Sequence, residues 1–339
     1  MMKHICKFFF ATLISIFFLT TAISSNAQDK GKVLARIYTG FYHNFDNTLD
    51  RQTGFDFTTG IIGYSRKLGE NVKATLLYDV TRTTNFSGMD TLAGSFEGSK
   101  YTAFLKMGQI DWQFHPRLAL SVGQLLNQQY LTVQDKWWGF RYVCVTYQEK
   151  YRYGMPADFG ARFTYSSESN NLRWSLSAVN GEGPFRYQDN NSIFLISTNI
   201  EYVPKENFLI KVYTDYEKPS DETFDNFDKN VVSVFLGHKS KKLMLGCELN
   251  YVTNYNYVKD MDYKGASLYT SYAIWEKFKV LARLDYGNLK SEENDYYSII
   301  GFQYEPAKNY FTSVNLRLYR YEPDEFHDQQ INVNFGAKF

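Results

Sequence analysis

The chain has 339 residues, with 37 Lys and Arg against 36 Asp and Glu, and it carries 28 Tyr, 28 Phe and 5 Trp. The near-neutral balance excludes a polybasic nucleic-acid surface, and beyond the N-terminal segment no window holds the roughly 18 consecutive apolar residues a membrane helix needs. The aromatic excess is that of a protein whose rings sit at a membrane–water boundary.

Residues 1–27 read as a secretory signal peptide. Lys3 and Lys7 form a positive start, Phe8–Leu19 an apolar core, and Ser25-Asn26-Ala27 a small-residue cleavage site. The mature domain is therefore expected over 28–339. Its two cysteines, Cys144 and Cys247, could pair after export, but one lies in a long loop and the other within a strand, which argues against a disulfide. Scattered Cys and His give no metal-ligand spacing, and no cofactor motif is present.

From Val33 onward the hydropathy alternates with period two in segments of about ten residues, the length a tilted strand needs to cross a bilayer. In Val72–Val80 one face reads Val72, Ala74, Leu76, Tyr78 and Val80, the other Lys73, Thr75 and Asp79. Phe208–Tyr216, Leu243–Tyr251, Phe278–Tyr286 and Tyr310–Leu318 follow the same template. A soluble sandwich would also alternate, but these strands are longer than usual. The connections, moreover, alternate strictly between short and long. Short ones fall at 67–71, 115–117, 166–171, 204–207, 240–242, 275–277 and 306–309; longer polar ones lie between them. This is the pattern of an outer-membrane barrel with turns on the periplasmic side and loops outside. Seven turns and eight loops predict sixteen strands in a closed antiparallel transmembrane β-barrel, closure removing the sheet edges. Eighteen or fourteen strands are the alternatives. Lys106 falls on the parity of Ile110, Trp112 and Phe114, so it lies above the bilayer or a bulge resets the register. The last strand, Ile331–Phe339, ends on an aromatic residue, like the assembly signal of bacterial outer-membrane proteins.

One interval breaks the rhythm. Gln124–Pro156 is too long for an idle connection and is predicted to be the third loop, folded into the lumen to narrow it. It carries Lys136, Arg141, Lys150 and Arg152 among two Trp and several Tyr. Phe140–Tyr147 is β-like in composition, and a spanning strand there would change the count. Trp137 and Trp138 could form a stacking surface for sugars or pack the loop against the wall.

Several motifs resemble the phosphate-selective porin O and P family. They are Ile110–Leu118 running into Val122-Gly123-Gln124, then Asp158–Arg162, Ser177–Gly183 and Leu281–Tyr286. The resemblance implies a sixteen-stranded homotrimeric porin with an inward third loop and passage of anions. The sequence departs from it in having no dense arginine ladder or lysine cluster.

If apolar faces meet outer-membrane lipid, the alternate faces line water. The wall so assigned holds ten basic side chains, Arg66, Arg162 and Arg283 among them, and nine acidic ones, so it selects little by charge. Arg162 and Arg283 lie near Asp158 and Asp285 and could serve as pore groups or as paired scaffolding. Lys136, Arg141, Lys150 and Arg152 would tip a constriction toward anions, or pin the loop to wall carboxylates. No Ser–His pairing, glycine-rich phosphate loop or distinct carboxylate pair points to an enzyme. The expectation is a passive channel for small hydrophilic solutes or anions. A plugged barrel acting as a surface-binding protein is the second reading, and a barrel enzyme the third.

Overall fold

Sixteen antiparallel strands close into one barrel, each hydrogen-bonded to its sequence neighbours, with the first paired to the last. The computed structural model describes residues 31–46, 52–82, 101–129, 133–184, 194–218, 227–289, 293–322 and 326–339; the predicted signal segment, 1–27, lies outside them. The strands are β1 (Lys32–Asn44), β2 (Thr53–Lys67), β3 (Val72–Arg82), β4 (Tyr101–His115), β5 (Leu118–Leu126), β6 (Ala157–Ser166), β7 (Leu172–Val179) and β8 (Leu195–Tyr202). They continue as β9 (Phe208–Glu217), β10 (Lys229–Lys239), β11 (Leu243–Thr253), β12 (Tyr263–Trp275), β13 (Phe278–Leu289), β14 (Glu293–Ala307), β15 (Tyr310–Glu322) and β16 (Phe326–Lys338). None of the described helices is long and apolar enough to cross a membrane.

The predicted turns fall where the ladder ends. Asn170 and Asn309 take left-handed φ values of 54° and 65° in two of the short connections, a conformation asparagine tolerates better than most residues. The seam between β1 and β16 is continuous from Arg36↔Lys338 to Asn44↔Gln330. Every strand therefore has two partners, and no edge is left for hydrocarbon to meet.

Alternation sorts the side chains as expected. Leu268, Leu284 and Ile300 stand 55–62% exposed on the outside, whereas Lys211, Glu248 and Arg283, on the opposite parity, are buried within the lumen. Two bulges alter the pattern. In β4 the register slips beside Leu77 and Tyr78, leaving Lys106 without a partner residue on β3. The slip turns Lys106 inward onto Asp79, where both are buried. In β2 a slip at Tyr38/Thr39 leaves Thr58 unpaired. Asp56 stays on the parity of the inward Gly40, but Arg66, eight residues beyond the slip's other side, now shares the face of the outward Ala74. The assignment of Arg66 to the lumen is corrected accordingly: one inserted residue flips everything after it. Arg66 ends exposed beside the short-turn rim, where a long side chain can reach the headgroup layer.

Placing an arginine on the outward face at mid-barrel tests this sorting. Leu284→Arg is expected to cost about 2–4 kcal/mol in urea unfolding from lipid vesicles. An unchanged unfolding midpoint would contradict the lipid-facing assignment.

Candidate functional site

Loop 3 leaves β5 and returns to β6 through a neck closed by the Asn127 amide donating to Pro156 O at 3.0 Å. It is not structureless. Helix α1 (Val133–Trp138) and helix α2 (Tyr147–Lys150) are separated by a turn. Gly139, at φ 76°, ends α1, a left-handed position that favours glycine. Phe140–Tyr147, β-like in composition, forms no strand: its tight turn carries Val143 N–H to Phe140 O at 2.8 Å. Arg152, at φ 54°, turns the chain back toward β6.

The loop lies inside the barrel and is held by polar groups on the far wall. Glu248 of β11 is fully buried, and its carboxylate accepts from Gln148 Nε2 at 2.8 Å, Tyr269 Oη at 2.6 Å, Asn250 Nδ2 at 3.1 Å and Gln134 Nε2. Both loop helices thus dock on one carboxylate. Gln148 Nε2 also reaches Ser233 Oγ at 2.5 Å. A second anchor is Arg283 of β13, which grips Asp285 through Nε and Nη2 at 2.8 Å each and donates from Nη1 to Val145 O. Arg317 Nη2 donates to Val143 O at 2.7 Å, and Lys211 Nζ to Gln129 O at 2.7 Å. Buried charges are tolerable when their lone pairs and protons are all engaged in this way.

Rings complete the docking. Trp138, Phe140, Tyr142, Tyr147 and Tyr153 form one buried cluster with wall residues of β1 and β9–β14. Trp138 packs on Tyr269 with centroids 5.2 Å apart, and Trp137 Nε1 donates to Leu245 O at 3.3 Å. Both tryptophans therefore serve packing. Gly237 and Gly265 accommodate Trp137 and Tyr147: a Cβ at either position would lie about 2.5 and 2.2 Å from the nearest ring atom. Among the described residues none of this apolar cluster comes from β2–β8. That wall is polar, with Ser65 Oγ 2.9 Å from Thr75 Oγ1 and Ser121 Oγ donating to Asp111 at 2.6 Å.

The six sequence-selected cations divide four ways. Arg141 is neutralised inside the loop by Glu149, at 2.5 Å, and Asp135, at 3.2 Å. Lys150 Nζ sits 3.9 Å from the Tyr151 ring centroid and 4.1 Å from that of Tyr297, and burial there lowers its pKa against the opposing pull of Asp285. Arg162 and Arg283 are scaffolding. Arg162 donates to Ser177 Oγ at 3.1 Å and to Leu126 O, rather than to Asp158. Asp158 instead accepts the amides of Gly181 at 2.6 Å and Gly183 at 3.2 Å. Lys136 and Arg152 are the two that stand exposed. Glu248, Tyr269 and Arg317 were not singled out by the sequence as loop anchors; only the register across the barrel brings them to the loop. Cys144 and Cys247 are free thiols.

No curated protein sequence matches the chain. Residues 151–337 match the family model described as "Putative beta-barrel porin-2, OmpL-like", a porin family other than the phosphate-selective one that the motifs resemble. Among solved structures, the chain is similar to an anion-selective porin from Comamonas acidovorans, with TM-score 0.67 and 11% identity over 92% of this chain and 100% of the other. Pseudomonas putida OprB gives TM-score 0.69 and 8% identity over 91% and 94%. OmpT of Vibrio cholerae, an outer-membrane protein in a trimer form, gives 0.58 and 8% over 92% and 99%.

Breaking the Arg283–Asp285 anchor should expose its cost. Arg283→Met, which strands a buried carboxylate, is expected to lose about 3–5 kcal/mol in urea unfolding. The double variant R283M/D285L should recover part of that loss; equal losses in both would contradict the buried-pair assignment.

Proposed function

The chain belongs to the OmpL-like beta-barrel porin-2 family, and from that premise we propose that it is a passive diffusion channel for small hydrophilic solutes, with a weak preference for anions. It is an outer-membrane barrel, and the observation that carries the channel reading is the one-sidedness of loop 3. Among the described residues its apolar packing falls on β1 and β9–β15, so the passage runs between the loop and the polar wall of β2–β7. The loop narrows this passage, and the solute meets hydroxyls and carboxylates on one side and the loop's polar edge on the other.

The anion preference rests on Lys136 and Arg152, the two loop cations whose side chains are exposed to solvent. Cations at a narrow, low-dielectric passage concentrate their field on a passing ion. Two exposed charges on an otherwise balanced wall give a modest bias. The anion selectivity of the Comamonas relative and the trimer form of the Vibrio one support extending both properties to this chain. The export signal over residues 1–27 belongs to the same proposal.

Reversal potential in a KCl gradient tests the reading. The wild type is expected to conduct with a mild anion preference, and K136Q/R152Q to move the anion-to-cation permeability ratio toward or below one. A cation-selective wild type would remove the anion claim, and a non-conducting one the channel itself.

A further inference from the structure

The near-zero net charge conceals an axial separation. The short turns, each taken with three strand residues on either side and together with the outer three residues at the free ends of β1 and β16, hold 14 Lys and Arg against 6 Asp and Glu. At the opposite end, the residues whose side chains are described hold, over the same span outside loop 3, 5 basic and 10 acidic groups. Among the described residues outside loop 3, the two mouths carry opposite sign.

Pairing does not cancel this. Among the described residues one ion pair, Arg117–Glu168 at 2.7 Å, neutralises a cation of the short-turn rim. At the other rim Lys229 and Arg320 are held by Glu217, at 2.6 Å, and Glu322, at 2.8 Å. The separation also extends into the lumen. Lys73, Arg173, Lys239, Lys279 and Lys338 lie on pore-facing parity near the short turns, against Asp111, Glu201 and Glu305. Asp56, Asp215, Glu217, Asp295 and Asp328 lie on that parity near the long loops, against Lys229.

We propose that this charge separation makes the pore a current rectifier, with an anion-collecting periplasmic mouth and a cation-collecting outer mouth. The inference rests on the channel reading. Fixed positive charge enriches mobile anions beside it, and fixed negative charge enriches cations. A voltage with the outer side positive drives anions from the basic mouth and cations from the acidic mouth into the narrow segment, where they accumulate and carry more current. The reverse voltage pulls both away and depletes the segment. The effect needs a screening length comparable with the mouth, so salt abolishes it.

Single-channel current–voltage curves in planar bilayers test this, with insertion direction read from the chamber in which added protease cleaves the long loops. At about 0.1 M KCl, where screening reaches about 10 Å, the conductance should be greater with the outer side positive by a factor above about 1.5. At about 1 M, where screening falls to about 3 Å, the ratio should approach one. The turn-and-mouth variant K239Q/K241Q/K242Q/K279Q should lower the ratio at low salt, as should K32Q/K67Q/K73Q on the other side of the rim. A symmetric curve, the opposite polarity, or an unchanged ratio in both variants overturns the rectifier while leaving the channel. Absence of any current overturns the channel reading, and the rectifier with it.

Discussion

A backbone in hydrocarbon must satisfy every N–H and C=O within the protein, because no water is there to do it. Closure of β1 onto β16 follows from that constraint, and so does the sorting of side chains. Once the sheet is closed, its outer face has only lipid to meet and its inner face only water or loop. The apolar set goes outward, and nearly all the charge is forced into the lumen or to the rims. The unusual burial of charge inside, with Arg283, Lys211 and Glu248 almost wholly covered, is a consequence of that sorting. A loop that enters such a lumen meets charges already in place.

Loop 3 uses those charges as its foundations. A 30-residue insertion pays a modest closure entropy but must bury polar backbone that a free loop would leave to solvent. Arg283, Arg317 and Lys211 answer three of its carbonyls, while Glu248 takes one side-chain amide from each helix. Tyrosines suit this environment because a ring fills space while its hydroxyl still reaches a partner; Tyr147 packs against Tyr151 and donates to Tyr286 O at 2.8 Å. Anchoring and permeation therefore compete for the same cations. Of the loop's cations, Lys136 and Arg152 are the exposed ones, and the proposed contact with solute falls to them.

The barrel was largely legible in the sequence, because period two and turn length are local signals. All sixteen strands and the inward third loop fall where alternation and connection length place them. What failed needed non-local information. Arg66 keeps perfect sequence parity with Asp56, yet the extra residue at Thr58 puts the two on opposite faces. Lys106 left the choice between bulge and exposure open, and the ladder decides for the bulge. In the loop, Arg141 and Lys150 looked alike as lumen cations; one is paired within the loop and the other is caged by β14 and the loop's own Tyr151, which depends on how the loop lies across the barrel. The axial charge separation was present in the composition of the turns, but it emerges only when each charge is assigned to an end.

The most direct test is accessibility along β13. Spin labels placed one at a time from Phe278 to Leu289, in vesicles, would be probed with oxygen, which partitions into lipid, and with a water-soluble nickel chelate. Oxygen contact peaking at Val280, Ala282, Leu284 and Tyr286, and falling at Leu281, Arg283 and Asp285, is the expected result. A flat profile, or oxygen contact greatest at Arg283 and Asp285, would contradict the division of this sheet between lipid and lumen.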